Sequence, residues 1–347
     1  MSIRTSNAPQ GLPRGIYYVA DASDGYWRRR RRGKHVIVDG GGAPCTEPAV
    51  LERVEQMVIP PQWENVWICR DGQGHLQCTG RDQRGRKQYI YHADYVAYRQ
   101  RAKFDKVIRF AERLPELRAH VAELLARKTW DHDRMLGLVV RMLDHTHLRI
   151  GSARYAAEND TYGLTTLRRK HLSQDGRRGL ELAFQGKSGK FRQVTIKNRQ
   201  LRKLIKQVAD LPGYELFKYR DEEGRAQRLD SGDVNDFLHE VMGDCYSAKD
   251  FRTWGGTSLA VKEYHAARLE HEAGGGKGKL TTKLVRRVAR ELGNTVSVCR
   301  EYYIHPDVLA RAEARELPDH DWDEHEAEAL ELAPYEQYTL DLLQGNC

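Results

Sequence analysis

Near residue 92 the spacing of apolar side chains changes period, and that change divides the chain into two folding problems. Upstream, short apolar runs at 17–20, 36–38 and 66–69 alternate with Gly/Pro clusters at 40–44 and 60–61, the pattern of short strands joined by turns. Residues 66–91 predict a hairpin across Asp71-Gly72-Gln73-Gly74, followed by a third strand at 88–91. From Ala93 to Lys128 the apolar residues Phe104, Val107, Ile108, Leu114, Leu117, Val121, Leu124 and Leu125 recur at three- and four-residue steps, which is helical period. The boundary is placed within residues 91–101. A β-rich domain over 1–92 and a mainly helical domain over 93–311 are expected, an α+β chain.

Within the second domain, three short antiparallel strands are expected at 164–167, 179–184 and 191–196, with turns at Asp175-Gly176 and at Gly186-Lys187-Ser188-Gly189. Helices are expected at 198–211, 231–243, 253–273 and 281–292, and the glycine-rich stretch 271–279 reads as a loop. No internal repeat is visible.

Charge is unevenly distributed. The 57 Lys and Arg outnumber the 49 Asp and Glu, for a net charge of +8. Residues 312–347 hold eleven acids and one base, so the body before them carries +18 against −10 in this third segment. A body that basic predicts a polyanionic partner, most simply nucleic acid gripped through its phosphates. The acidic segment reads as a C-terminal tail that keeps the protein soluble, with electrostatic competition against DNA as the alternative.

Several chemistries are excluded by pattern. The six cysteines form no C-x-x-C pair, which argues against a disulfide framework and a zinc site. No run approaches the roughly 18 apolar residues of a membrane span, and the first ten residues lack a signal-peptide core, so a reducing cytoplasm is expected. Neither Gly40–Gly42 nor the stretch 274–279 supplies G-x-x-x-x-G-K-[ST], because Leu280 follows Lys279. No H-E-x-x-H occurs, and His145 and His147 have no evident third ligand, so no metal is expected. The five-arginine run at 28–32 reads as a solvated face that is able to meet phosphates.

A basic protein without a metal motif, if it breaks DNA, needs substitutes for what an ion supplies. A nucleophile must attack phosphorus, cationic donors must neutralise developing charge, and a proton must reach the leaving 5′ oxygen. Arginine suits the second task because its planar fork stays charged and binds two oxygens at once. Tyrosine suits the first when the strand is to be resealed, since a phosphotyrosyl ester is reversed by the returning hydroxyl.

The residues that carry such a set occur in four ordered blocks. Leu148-Arg149-Ile150-Gly151-Ser152-Ala153-Arg154-Tyr155 leads into Glu158-Asn159-Asp160-Thr161-Tyr162-Gly163-Leu164-Thr165-Thr166-Leu167. Then come Phe184-Gln185-Gly186-Lys187-Ser188-Gly189-Lys190, Lys249-Asp250-Phe251-Arg252-Thr253-Trp254-Gly255, and Gly293-Asn294-Thr295 with Ser297-Val298-Cys299-Arg300-Glu301-Tyr302-Tyr303-Ile304-His305-Pro306. In kind and order these blocks resemble the type IB DNA topoisomerases, in particular their small poxviral and bacterial branch.

That resemblance implies a two-domain clamp around duplex DNA, with a catalytic fold related to the tyrosine recombinases. It also implies roles. Tyr303 would be the nucleophile, forming a 3′-phosphotyrosyl intermediate. Tyr302 is adjacent and chemically equivalent, and the family's Tyr-x-x-Pro pattern selects Tyr303. Arg149 and Arg252 would clamp the non-bridging oxygens, and Lys187 would protonate the leaving 5′ oxygen. Asn294 stands where many relatives carry histidine, and an amide that cannot titrate favours hydrogen-bond donation over acid catalysis. In the N-terminal domain Gln88, Tyr89 and Tyr91 match the strand with which poxviral enzymes touch DNA bases, and a plain amphipathic strand with both tyrosines inward is the alternative. Arg154 and Tyr155 are further expected DNA contacts, while Ser152 replaces a lysine usual in the poxviral branch.

The activity implied is relaxation of supercoiled double-stranded DNA by nicking and religation, by a monomer in the cytoplasm associated with the nucleoid, without ATP, metal or other cofactor. A tyrosine site-specific recombinase is the first rival, and Lys249-x-x-Arg252 in place of its usual His-x-x-Arg counts against it. A non-catalytic duplex-binding protein is the second, opposed by the intact Arg149, Lys187, Arg252 and Tyr303.

Overall fold

The computed structural model describes residues 12–175, 179–322 and 330–346. The first ten residues, Gly176 of the expected turn and the middle of the acidic segment lie outside them. The chain forms two compact units, up to Lys103 and from Phe104 onward.

The first unit is a five-stranded antiparallel sheet of β1 (Gly25–Arg31), β2 (Lys34–Val38), β3 (Glu64–Cys69), β4 (Leu76–Arg81) and β5 (Lys87–Tyr91), in the order β2-β1-β3-β4-β5. Alternation along β3 explains how it is covered on both faces. Val66 and Ile68 point to one cluster with Tyr26, Ile37 and Cys78, whereas Trp67 and Cys69 join Leu76 in another. The first cluster is closed by a helix that the sequence reading did not give, α1 (Pro48–Gln56), which begins with proline and buries Val50. The arginine run occupies β1 and its turn, and Arg28 is not available to phosphate. Its guanidinium donates to the carbonyls of Ile59, Pro60 and Trp63 at 3.2, 2.9 and 2.7 Å.

Helix α2 (Ala93–Ala126) carries the chain into the second unit, where α3 (His132–Thr146) and α4 (Ala153–Asn159) follow. The three-stranded sheet is β6 (Leu172–Asp175), β7 (Gly179–Gln185) and β8 (Phe191–Ile196). Its first strand is therefore not 164–167. Leu164–Thr166 is a single 3-10 turn closed by Thr166 to Gly163 and Leu167 to Leu164 at 2.9 and 3.2 Å. The N–H groups of Leu164 and Thr165 donate to the carbonyls of Arg149 and Ile150 at 2.9 and 2.8 Å instead of to a sheet. Beyond the sheet lie α5 (Arg199–Ala209), capped by Asn198, a small ribbon of β9 (Lys218–Arg220) and β10 (Ala226–Arg228), and α6 (Ser231–Met242), capped by Asp230.

Helix α7 (Asp250–Lys262) is the axle of this unit: every residue from Asp250 to Val261 is buried. Phe251 and Trp254 belong to one core cluster with α2, α3, β7 and α6, and Leu259 to Val261 belong to a second. The expected helix over 253–273 breaks at Glu263 into α7 and α8 (Tyr264–Ala273). The break leaves no mark in the sequence because backbone bonds continue across it, Glu263 to Leu259 at 2.8 Å and Ala267 to Glu263 at 3.0 Å. Then follow α9 (Leu280–Leu292), α10 (Val296–Tyr302), α11 (Pro306–Ala314) and α12 (Pro334–Gln344). The last of these corrects the reading of 312–347 as a solvated tail: α12 buries Glu336, Thr339, Leu340 and Leu342 against the two clusters. Among the described residues no helix is long and apolar enough to cross a membrane.

Candidate active site

Arg149 leaves α3 through two glycines. The helix ends on His147 in the left-handed region (φ 51°), and Gly151 (φ 97°) turns the chain against Gly163. A Cβ on Gly163 would lie 2.5 Å from the Gly151 nitrogen and 2.6 Å from the Arg149 oxygen, so only glycine allows these strands of backbone to touch. Arg149 Nη2 then reaches Asn294 Oδ1 at 2.6 Å.

Arg252 arrives from the first turn of α7. The box around it divides its labour. Asp250 takes a salt bridge from Lys106 at 2.7 Å and hydrogen bonds from Ser247, fixing the helix start. Phe251 and Trp254 anchor the core, and Arg252, 4% exposed, turns to the site. Its Nη1 donates to the His147 carbonyl, and its Nη2 to the Leu292 carbonyl at 2.9 Å and to Asn294 Oδ1 at 3.3 Å.

Asn294 follows Gly293, whose φ of 62° ends α9, and its own N–H returns to Ala289 at 2.9 Å. Two arginines donating to one amide oxygen determine the orientation of that side chain. Its Nδ2 is consequently left buried with no partner, and Arg252 Nε shares that condition. No ion pair among the described residues involves Arg149, Arg252 or Arg192. Burial, then mutual repulsion, lowers the Arg149 pKa to about 10, and burial lowers those of Arg252 and Arg192. Converging cations without a carboxylate, beside two unmet N–H groups, form a cradle for an anionic, oxygen-rich group.

Tyr303 ends α10, its ring 5.1 Å from the Arg252 guanidinium carbon. Its backbone is seated on α7 by a device that sequence reasoning passed over. A Cβ on Gly256 would lie 2.4 Å from the Tyr303 oxygen, and Thr257 Oγ1 donates to that same oxygen at 3.2 Å. Gly255 does the same for the His147 ring, where a Cβ would lie 2.5 Å from Nδ1. Burial lowers the His147 pKa to about 4, so the imidazole is neutral beside Arg252. Tyr302, by contrast, is 42% exposed, and its hydrogen bond to Glu301 raises its pKa. The signal that would have found the glycines is their pairing in a helix that is otherwise buried throughout.

The structure thus brings together Arg149, Arg252, Asn294 and Tyr303. Lys187 stands exposed in the turn Lys187–Gly189 between β7 and β8. Arg192, which the sequence reading did not single out, turns inward from the same hairpin. Among the described residues no group of three His, Cys, Asp or Glu side chains gathers as metal ligands.

The expected DNA contacts lie on accessible surface. Tyr89 and Tyr91 are 47% and 40% exposed on β5, stacked at 5.9 Å with planes 8° apart, so the inward alternative fails and Ile90 takes the core side. Gln88 is engaged by Asp82, its Nε2 donating at 2.9 Å. On α4, Arg154 pairs with Glu158 at 2.8 Å, and Tyr155 is exposed.

Residues 92–326 match the family model described as eukaryotic DNA topoisomerase I, catalytic core, and residues 35–82 match that of the bacterial DNA topoisomerase IB N-terminal domain. The chain is 31% identical over 263 residues to DNA topoisomerase 1B of Acanthamoeba polyphaga mimivirus, covering 73% of this chain and 77% of that protein. It is 22% identical over 261 residues to DNA topoisomerase 1B of vaccinia virus strain Copenhagen, covering 74% and 78%. With DNA topoisomerase 1 of rabbit fibroma virus it shares 24% identity over 271 residues, covering 76% and 82%.

Proposed function

Because the chain belongs to the type IB DNA topoisomerases, an enzyme family acting on DNA, we propose how its residues divide the reaction. Tyr303 attacks a backbone phosphorus, its phenolic proton passing to solvent. The bond to the 5′ oxygen breaks, and Lys187 supplies that oxygen's proton, leaving a 3′-phosphotyrosyl ester and a free 5′-hydroxyl. Rotation releases supercoils, after which the hydroxyl attacks the ester, the proton returns to Lys187 and tyrosine is released. Since the ester conserves the bond, no nucleotide hydrolysis is needed to reseal it. Arg149 and Arg252 hold the non-bridging oxygens, and Asn294 Nδ2 donates to one of them. Gln88, Tyr89, Tyr91, Arg154 and Tyr155 contact the duplex around the cut. One chain supplies this whole set, which favours a monomer. Free cysteines and a DNA substrate favour a cytoplasmic, nucleoid-associated enzyme.

The observation that carries this reading is the uncompensated pair of guanidiniums, Arg252 buried and Arg149 half-buried, bridged by one amide oxygen, with a tyrosine ring beside them. A duplex trapped on the enzyme through its 3′ phosphate tests it. Tyr303→Phe is expected to abolish the adduct and plasmid relaxation while duplex binding persists, and Tyr302→Phe is expected to retain both activities. An adduct surviving in Tyr303→Phe would move the nucleophile elsewhere.

A further inference from the structure

Resting on the assignment of Lys187 as the proton donor, we propose that Arg192 is a positioning residue that holds the Lys187 hairpin in register with the phosphate cradle. Arg192 lies on β8 opposite Phe184, and its side chain runs inward between two glycines. At its stem, a Cβ on Gly186 would lie 3.1 Å from Arg192 Cγ. At its head, a Cβ on Gly293 would lie 2.3 Å from Nη1. Gly186 immediately precedes Lys187, and Gly293 immediately precedes Asn294. One side chain therefore packs on the residue before the proton donor and on the residue before the phosphate donor.

The guanidinium is fastened at the cradle end. Nη1 donates to the Arg290 carbonyl at 3.0 Å, which also accepts the Gly293 N–H, and Nη2 to the Glu291 carbonyl at 2.7 Å, both in the last turn of α9, where a cation is also favoured by the helix dipole. A planar fork reaches both carbonyls at once, as a lysine ammonium does not. The two ends are unequal in support. The cradle loop has a second anchor, since Arg252 holds the Leu292 carbonyl at 2.9 Å. The hairpin is held at its base, where the Gln185 carbonyl accepts from the Tyr162 N–H at 2.7 Å. At its tip residues 187–190 are all exposed, and the backbone bonds found there among the described residues are Gly186–Lys190 and Gly189–Gly186. Loss of Arg192 therefore loosens the tip of the hairpin and leaves the cradle in place, so its effect falls on proton delivery, a step sensitive to displacements of about 1 Å.

The test compares single-turnover cleavage of two duplexes by the full-length enzyme. One carries the ordinary 5′ oxygen at the scissile position and the other a bridging sulfur, whose thiolate leaves without a proton. Lys187→Ala is expected to be slowed by about 10²-fold or more on oxygen and to recover on sulfur. Arg192→Ala is expected to be slowed at least about tenfold on oxygen and to recover on sulfur likewise, with Arg192→Lys intermediate on oxygen. Arg192→Gln, which keeps the stem and one donor group, gives the same sulfur-to-oxygen ratio if the alanine variant does not fold. If Lys187→Ala recovers on sulfur and the Arg192 variants stay equally slow on both duplexes, or are not slowed on oxygen, the positioning role is overturned while the proton-donor assignment stands. If Lys187→Ala fails to recover, the proton-donor assignment falls and takes this role with it.

Discussion

At the scale of single residues, Asn294 sets the charge state of the site. Its one carboxamide oxygen accepts from Arg149 at 2.6 Å and Arg252 at 3.3 Å without carrying a negative charge of its own. A carboxylate there would satisfy both cations permanently and take the place of the substrate's phosphate. Asn294→Asp is therefore expected to raise stability by about 1.5–3 kcal/mol, the range of hydrogen bonds to charged groups, while slowing cleavage by about 10²-fold or more. Thermal unfolding and single-turnover cleavage on one preparation check the two opposite signs. An aspartate variant that was both destabilised and active would show that the arginines do not depend on an uncharged bridge. At this scale the motif residues were legible because type and spacing carry the chemistry. Tyr302 and Tyr303 were not separable by type, and the geometry now gives an independent reason: Tyr303 lies by Arg252, whereas Tyr302 is exposed and engages Glu301. Arg192 was invisible because an arginine in an alternating strand reads as an outward residue, and only the two flanking glycines reveal that it turns in.

At the scale of elements, α7 shows how a helix carries a site without contributing an exposed face. Its glycine pair accepts the His147 ring on one residue and the Tyr303 backbone on the next. Ala is the better helix former by about 1 kcal/mol, so propensity alone favours Gly256→Ala. The added Cβ, 2.4 Å from the Tyr303 oxygen, meets backbone that has no rotamer through which to yield. The variant is expected to lose about 10–10²-fold in cleavage rate through displacement of Tyr303, with a melting temperature near that of the parent. Equal relaxation rates for variant and parent would mean that α10 shifts without moving the nucleophile. The same scale shows where pattern reading succeeds and stops. Strands β2 to β5, β7 and β8 were visible as short apolar or alternating runs, whereas β1 read only as a run of arginines and the run at 17–20 forms no strand beyond an isolated bridge from Tyr17 to Gly74. The apolar run at 164–167 was read as a strand because buried backbone and strand look alike in a four-residue window, whereas its N–H groups go to Arg149 and Ile150. The true first strand, β6, is Leu172-Ser173-Gln174-Asp175, too polar to announce itself.

At the scale of the molecule, the change of period near residue 92 marks the start of α2, while the compact units divide within that helix, between Lys103 and Phe104. The role of the acidic C-terminal segment left no mark, because charge counted along a chain says nothing about pairing. Several of its acids are engaged with the second unit. Glu313 accepts from Thr281 at 2.8 Å, and Asp319 takes both Arg268 and His265. Glu336 goes further in. With Asp144 it encloses Arg118, which is 8% exposed, and it accepts from Trp254 Nε1 at 3.2 Å. Arg118, Asp144, Glu336 and Trp254 belong to α2, α3, α12 and α7, so this one ion cluster joins the C-terminal helix to the helix that carries Arg252. The two carboxylates raise the Arg118 pKa against its burial, so the guanidinium stays charged in a place where it is costly to leave alone. Glu336→Ala is accordingly expected to cost about 1–3 kcal/mol, because Arg118 keeps Asp144 but loses its second carboxylate, and Trp254 Nε1 is left buried without an acceptor. Replacing Arg118, Asp144 and Glu336 together by leucine is expected to recover most of that loss, because no unmatched charge of the cluster then remains near α7. Chemical denaturation of the two variants checks the difference. If Glu336→Ala unfolded at the parent's midpoint, α12 would be an appendage after all. If the triple leucine variant were no more stable than Glu336→Ala, the helix would be held by its apolar residues, Leu340 and Leu342, and the unmatched charge would contribute little.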